Sequence, residues 1–195
     1  MDLLNSLLRR RSVVLRLLGV LVLAMLLVPC CPGTAAAQSQ APEQRVKAAF
    51  LFKFGGYVEW PSGTFASANA PITIGVMDAD ELAEELATIV AGRTIDGRSV
   101  VIRKLHDRDP ITGLNVIFIG KADSGKLAAI LSAIKGRATL AVTESEGALE
   151  LGSMINFIVV DGKIRFDVSL QPAVGENLKI SSRLLAVARK VMGSP

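Results

Sequence analysis

Hydrophobic residues recur along this 195-residue chain with the period of a helix, about 3.6 residues, in some segments and with the period of a strand, two residues, in others. The helical period is clearest where Leu82, Leu86 and Val90 recur at spacings of four on one face. Pro42 fits the first turn of a helix, because the N–H that proline lacks has no partner there. These patterns predict helices over residues 42–58, 80–91, 124–135 and 182–191. The expected N-caps of the last three are Asp78 or Asp80, Asp123 or Ser124, and Ser181 or Ser182.

Short apolar runs between these helices predict strands. Residues 72–77 and 114–119 are nearly continuous apolar runs, typical of strands buried on both faces of a parallel sheet. Asp96-Gly97 and Asp161-Gly162 each separate two such runs, which predicts two β-hairpins. Polar and apolar residues alternate from Ile164 to Ser169, so we expect one face of that strand to be exposed to solvent. The predicted strands are residues 72–77, 94–95, 99–105, 114–119, 139–143, 154–160 and 163–170.

This order of elements predicts an α/β fold. We expect a single domain with a mostly parallel sheet, flanked by helices, and an antiparallel hairpin near the C-terminal end. The apolar content of 50% is sufficient for a substantial core and excludes an intrinsically disordered chain.

The first 37 residues have the order of a secretory signal peptide. A basic segment ends at Arg16, an apolar run spans residues 17–28, and Ala35-Ala36-Ala37 forms a small-residue cleavage site. The pattern predicts cleavage before Gln38, leaving residues 38–195 as the mature domain in a bacterial periplasm. The alternative is a permanent membrane anchor, but the apolar run has only 12 residues. A helix needs about 20 to cross a bilayer.

Both cysteines and most of the net positive charge, +3 of +4, belong to this predicted signal peptide. Pro29 precedes Cys30 where a bacterial lipidation signal has a small residue, so we do not predict a lipid anchor at Cys30 or Cys31. Cleavage would remove both thiols, leaving no disulfide and no cysteine ligand. Residues 1–37 hold four of the 22 Lys+Arg and one of the 18 Asp+Glu, so 18 and 17 remain, a net charge of +1. This near-neutral balance does not favour a nucleic-acid partner.

Residues 120–126 (GKADSGK) have the spacing of a phosphate-binding loop between a strand and a helix. Leu127 stands where such a loop carries the Ser or Thr that holds Mg²⁺, so a turn with a capped helix is the favoured interpretation. A weaker alternative is a small-anion site at that helix N-terminus, formed with Lys121 and Lys126.

The only histidine, His106, lies in the run HDRD with Asp107 and Asp109. An imidazole beside carboxylates can bind a metal or act as a general base. One imidazole makes a weak metal site, however, and a solvated loop between two strands is the favoured interpretation. The sequence therefore predicts no catalytic residue, no metal and no cofactor.

Five of the nine aromatic residues lie in residues 50–60 (FLFKFGGYVEW). Phe50, Phe54 and Tyr57 share one helical face whereas Phe52 points elsewhere, so this helix is apolar around much of its circumference. Such a helix is either deeply buried or covered by a second molecule. We expect core packing for most of these rings, with one remaining face for a dimer or a partner as the alternative. Gly55-Gly56 would allow close approach of another backbone.

Five segments in this order resemble the YfiR family of periplasmic proteins. They are KAAFLFKFGGYVEWP (47–61), VIFIGKADSGKLAAIL (116–131), TLAVTES (139–145), GSMINFIVVDGKIRFDVSL (152–170) and LKISSRLLAVA (178–188). Together they span about residues 44–190, nearly the whole predicted mature chain.

The resemblance implies a periplasmic α/β domain, often dimeric and with no known catalysis. It also implies repression of an inner-membrane diguanylate cyclase, by binding the periplasmic sensory part of that enzyme. Release of the repressor would raise cyclic di-GMP inside the cell. Paired cysteines of oxidation-responsive members are missing after Ala37, which argues against redox sensing, and Ser153 replaces a common glycine.

We predict a partner-binding or dimer surface on the aromatic helix and the C-terminal hairpin, with the hairpin charges setting specificity. Its expected residues are Phe52, Tyr57, Trp60, Arg165 and Asp167. Membrane contact is expected only through the partner or an uncleaved signal. The alternative function is a small-ligand-binding module serving a sensor or transporter, with its pocket at the carboxyl ends of the strands.

Overall fold

The computed structural model describes residues 35–193. Most of the predicted signal peptide, with Cys30 and Cys31, lies outside the described residues. The helices are α1 (Ala35–Gly55), α2 (Asp80–Val90), α3 (Ser124–Ile134), α4 (Leu170–Gly175) and α5 (Ser182–Leu185). The strands are β1 (Val58–Glu59), β2 (Ile72–Met77), β3 (Thr94–Ile95), β4 (Arg98–Leu105), β5 (Val116–Ile119), β6 (Leu140–Thr143), β7 (Ile155–Val160), β8 (Lys163–Ser169), β9 (Lys179–Ile180) and β10 (Lys190–Met192).

Eight strands form one sheet in the order β10-β8-β7-β6-β5-β2-β4-β3. The β3–β4 and β7–β8 pairs are antiparallel and the other neighbours are parallel. This confirms the predicted α/β fold with a mostly parallel sheet and a C-terminal hairpin. β1 and β9 form a separate antiparallel pair.

Helices cover both faces of the sheet. Leu51 and Phe54 of α1 and Leu82 of α2 pack in one core, whereas Leu127 and Leu131 of α3 pack in another. β4 and β5 flank β2 on opposite sides, so the strand order reverses at β2. Open α/β sheets bind ligands at such a reversal, beyond the carboxyl ends of the strands.

The most local sequence signals are confirmed. β2 has its predicted bounds. Both Asp-Gly turns have the positive φ angles of tight hairpins. The angles are +49° and +77° at Asp96 and Gly97, and +49° and +69° at Asp161 and Gly162. Asp123 caps α3, since its side chain accepts a hydrogen bond from the Lys126 N–H at 2.9 Å.

The predicted cap of α2 is wrong. Ala79 occupies the N-cap position without a side-chain hydrogen bond. Asp78 has a φ of +54°, and its carboxylate binds Lys126 instead of the helix end.

The first helix differs from its prediction at both ends. It begins at Ala35, so Pro42 lies inside it, and it ends at Gly55. Val58 is not helical, because its backbone pairs with Ile180 of β9. Gly55 does allow a close approach, but to a side chain: a Cβ atom there would lie 2.8 Å from Ile95 Cδ1.

The predicted last helix is also mostly wrong, although its Ser181 cap is confirmed. α5 ends at Leu185, and β10 follows on the free edge of β8. The Arg189 N–H donates to the Phe166 carbonyl at 2.9 Å, which starts this pairing. Because β10 and Arg189 lie against β8, Asp167 is buried, and the predicted solvent-exposed face is confined to the outer part of the hairpin.

No helix within residues 35–193 is both long enough and apolar enough to span a bilayer.

Candidate functional site

Two clusters of charged side chains lie beyond the carboxyl ends of the parallel strands. The Lys47 cluster consists of Lys47, Glu43 and Glu144. Lys47 and Glu43 lie one turn apart on α1, and Glu144 directly follows β6. The Lys47 ammonium donates to Glu43 Oε1 at 2.5 Å and to the Glu144 carboxylate. These bonds tie the middle of α1 to the edge of the sheet.

Lys47 is charged although it is only 3% exposed. Burial lowers the pKa of its ammonium group, but the hydrogen bonds to Glu144 and Glu43 outweigh burial, and the net effect is a raised pKa. A lysine with a raised pKa is a poor nucleophile, since only the neutral amine attacks an electrophile. The arrangement therefore suits a structural ion pair or recognition of a polar partner.

A buried network of short polar side chains adjoins the Lys47 cluster. The Thr143 hydroxyl donates to Asn156 Oδ1 at 2.7 Å, and the Ser153 hydroxyl donates to the Ile155 carbonyl at 2.9 Å. The two hydroxyl oxygens are 2.9 Å apart. The side chain of Ser153 is thus accommodated by hydrogen bonds. The network joins the end of β6 to the start of β7.

A cavity of about 350 Å³ opens beside this network. It is lined by Glu43 and Lys47 of α1, Lys121 after β5, residues 144–146 after β6, and residues 156–159 of β7. Its volume lies within the range of ligand-binding clefts, about 300–1,000 Å³. Its lining combines charged groups with the apolar side chains of β7.

The Lys126 cluster, formed by Lys126, Asp78 and Asp107, lies where the strand order reverses. The Lys126 ammonium is 2.7 Å from Asp78 Oδ2 and 2.7 Å from Asp107 Oδ1. Hydrogen bonds to Asp107 and Asp78 raise the pKa of Lys126, and the bond to Lys126 lowers the pKa of Asp107. Protein side chains therefore occupy the crevice that is the usual ligand site of this fold.

Close backbone packing narrows the same crevice. The Gly120 N–H donates to the Met77 carbonyl at 2.9 Å, and a Cβ atom on Gly120 would lie 2.7 Å from the Asp78 carbonyl oxygen. With Lys126 bound to two carboxylates and Asp123 capping α3, residues 120–126 form a capped turn rather than a phosphate-binding loop.

His106 is exposed at the rim of this crevice, with Nε2 3.9 Å from Asp80 Oδ1. Within residues 35–193, no three His, Cys, Asp or Glu side chains lie close enough together to hold a metal ion.

The aromatic residues of the predicted partner surface are half-buried. The Arg93 guanidinium lies 5.9 Å from the centre of the Phe52 ring. Trp60 packs edge-on against Phe65 with ring centres 5.9 Å apart, and its buried Nε1 has no hydrogen-bond acceptor in the described part of the chain. Phe52, Tyr57 and Trp60 all pack against the core under α1, and each remains partly exposed to solvent.

Arg165 and Asp167 lie on the other face of the sheet. Phe166 packs against Phe50 and Phe54 of α1 with ring centres 5.5 and 5.0 Å apart, so its neighbours in β8 point away from α1. Arg165 is exposed there, whereas Asp167 is 6% exposed and bound to the Arg189 guanidinium, with Oδ1 2.8 Å from Nε. The structure does not bring the five predicted residues together on one surface.

Sequence reasoning missed the Lys47 cluster and the Thr143 network. One signal was available: Glu144 follows a buried strand, at the edge where the carboxyl ends of parallel strands meet. Nothing local indicated that Lys47, 97 residues earlier, would lie there.

A family model described as YfiR/HmsC-like matches residues 44–189. The matched region contains Lys47, Glu144 and Asn156 as well as all five residues of the predicted partner surface. No curated protein matches the chain significantly.

Proposed function

Because the chain belongs to the YfiR/HmsC-like family, we propose that it represses an inner-membrane diguanylate cyclase by binding the periplasmic sensory part of that enzyme. The observation that carries this proposal is the extent of the family match, which covers residues 44–189 and thus nearly all of the α/β domain. The proposed role is regulatory binding without catalysis or a cofactor. Loss of binding would raise cyclic di-GMP in the cell.

We propose that the chain reaches the periplasm through residues 1–37 and is cleaved after Ala37. The basic, apolar and small-residue segments of that region support this route. The mature chain would begin within α1 and contain no cysteine, so repression would be insensitive to thiol oxidation. The intact mass of the protein extracted from the periplasm tests the cleavage site. A mass that includes residues 1–37 would contradict it.

The aromatic residues at the C-terminal end of α1 and just after it are the proposed contact for the cyclase. Phe52 and Tyr57 are half-buried, so each offers ring surface to a partner. A large aromatic side chain at the centre of an interface can contribute about 2 kcal/mol or more. Trp60 extends the same region, whereas Asp167 acts inside the domain through Arg189. A second copy of the chain could use this surface, and sedimentation equilibrium would reveal such a homodimer.

Deletion and substitution in the native host test the proposal. Deleting the gene should raise cyclic di-GMP, and the parent chain should restore the lower level. Phe52→Glu and Tyr57→Glu should fail to restore it while melting close to the parent temperature. Arg165→Glu is the matched control, because its side chain lies on the opposite face of the sheet. Unchanged cyclic di-GMP after deletion would overturn the proposed function. A large fall in the melting temperature of Phe52→Glu and Tyr57→Glu would show that both rings belong to the core.

A small-ligand-binding role is the second candidate. A cavity of about 530 Å³ between α3, residues 149–152 and α4 favours it, and this cavity is away from the crevice that the sequence suggested. Native mass spectrometry of the protein purified from the periplasm tests this role. A co-purifying small molecule lost with Leu131→Trp, which would fill the cavity, is the expected result.

A further inference from the structure

The β7 strand extends beyond its neighbour. It pairs with β6 through only two residue pairs, Val142 with Ile155 and Thr143 with Asn156. On its other side it pairs with β8 along its full length. Among residues 35–193, no strand therefore pairs with residues 157–160 on the side of β6. Unpaired backbone groups at such an edge can pair with a strand from another chain.

The 350 Å³ cavity lies directly against this free edge, since residues 156–159 form one of its walls. Val159 is 59% exposed, although it belongs to a strand that is otherwise largely buried. The edge thus combines unpaired backbone, open space and an exposed apolar side chain.

Asn156 supplies a hydrogen-bond donor at the base of the cavity. Its side chain is almost fully buried, the residue being 8% exposed, and Oδ1 accepts the Thr143 hydroxyl hydrogen at 2.7 Å. The Nδ2 group of Asn156 makes no hydrogen bond to another described residue and remains accessible to solvent. A backbone carbonyl entering the cavity would complete the hydrogen bonds of this amide.

The charges around the cavity favour a basic residue in the incoming segment. The lining contains three carboxylates (Glu43, Glu144 and Glu146) and two ammonium groups (Lys47 and Lys121), a net charge of −1. Lys47 is engaged by two carboxylates, Glu43 and Glu144, which accounts for the excess negative charge, and Glu146 and Lys121 are both exposed at the rim.

The open edge of β4 is protected by a loop. β3 pairs only with Arg98 and Ser99, so the rest of β4 lacks a strand on that side in the described part of the chain. Arg103 donates to the Pro110 and Thr112 carbonyls at 2.7 and 2.8 Å, which holds a loop beside β4. Charged side chains and covering loops are common protection for edge strands. The free edge of β7 lacks a comparable cover among the described residues.

We infer that the cavity and the free edge of residues 157–160 form a docking groove for an extended segment of the partner protein. The segment adds a strand beside β7, places an apolar side chain against Val159 and a basic side chain near Glu146, and accepts a hydrogen bond from Asn156. This inference rests on the proposed function, because the segment belongs to the periplasmic part of the cyclase.

Photo-cross-linking of the full chain in the native host tests the groove. A benzoylphenylalanine residue replaces Val159 in one variant and Val101 in the other, because Val101 is an exposed valine, 42% accessible, on the protected strand β4. The expected result is a cross-link to the cyclase from position 159 and none from position 101. A cross-link from position 159 to a second copy of this chain would overturn the inference.

A binding measurement completes the test. Inner-membrane vesicles from the native host are titrated with the parent chain, Val159→Lys and the control Val101→Lys. Val159→Lys should bind at least about tenfold more weakly at an unchanged melting temperature, and Val101→Lys should match the parent. The groove is wrong if deleting the gene raises cyclic di-GMP but Val159→Lys binds and represses like the parent. The proposed function fails separately, when deletion leaves cyclic di-GMP unchanged.

Discussion

The Lys47 and Lys126 clusters lie at the same edge of the sheet and have the same composition, one lysine between two carboxylates. They differ in burial, since 4% of the Lys47 side chain is exposed but 33% of Lys126. A buried charge that loses its partner is strongly destabilising, whereas an exposed pair contributes little. We therefore expect the surroundings of an ion pair, more than its geometry, to decide how much it contributes to stability.

The difference arises from the elements that carry the two lysines. Lys47 lies within α1 and is followed by Ala48 and Leu51, which are fully buried. Its side chain therefore passes over the core before it reaches Glu144. Lys126 lies in the first turn of α3, and the side chains of its partners Asp78 and Asp107 are 31% and 74% exposed.

The largest effect is expected for Lys47→Met. Methionine keeps much of the side-chain volume but leaves Glu144, whose side chain is 12% exposed, without its cation. The free energy of unfolding should fall by about 3–5 kcal/mol in urea denaturation. Adding Glu144→Gln should recover much of the loss, because the unpaired charge is then removed. A loss no larger than that of Lys126→Met would contradict the comparison.

Gly120→Ala should have the next largest effect, and it tests the backbone rather than the charges of the crevice. The new methyl group would lie 2.7 Å from the Asp78 carbonyl oxygen, so the two strand ends must separate. We expect a loss of about 1–3 kcal/mol in the free energy of unfolding. Gly175→Ala in α4 is the control, since a Cβ atom there has nothing within 4 Å. Equal stabilities of the two variants would show that the crevice is not tightly packed.

Alkaline pH should weaken the Lys47 cluster by a smaller amount. The pKa of Lys47 is higher in the folded protein than in the unfolded chain. Its contribution to the free energy of unfolding is therefore fully present below the unfolded pKa, about 10.4, and is lost as pH rises through the folded pKa. Only part of the loss is reached by pH 11. The stability difference between the parent and Lys47→Met should therefore narrow between pH 9 and pH 11, measured by urea denaturation. A constant difference would mean that Lys47 does not titrate in this range.

Lys126→Met should have the smallest effect. The ammonium group is accessible to water, and salt and solvent weaken its attraction to Asp78 and Asp107. The urea midpoint should stay close to that of the parent, in low salt as well as in high salt. A large loss of stability would show that the crevice depends on its charges after all.

Local signals account for the parts of the fold that could be predicted. The Asp-Gly turns fix both hairpins, and the apolar run of β2 marks its full length. β10 could not be predicted in this way, because its conformation depends on the free edge of β8 more than 20 residues earlier along the chain. Helical propensity alone would have continued α5 through Arg189.

The candidate site was less predictable than the fold. The aromatic residues of α1 were visible in the sequence, and most of their surface packs as expected. The Lys47 cluster joins residues 97 positions apart, and the buried hydroxyls of Thr143 and Ser153 resemble ordinary strand residues. The alternation of polar and apolar residues along β8 predicted that Arg165 and Asp167 are both exposed, but β10 covers only Asp167.

The position of β10 has a consequence for how the sheet is completed. Residues 190–192 come after every other strand of the sheet along the chain, so β8 acquires its outer neighbour only when this segment folds back onto it. Until then Asp167 lacks Arg189, and the edge of β8 is open to mispairing with other chains. A chain that lacks the residues from Arg189 onward would keep a nearly complete domain in which the edge of β8 is unpaired, and such an edge favours aggregation.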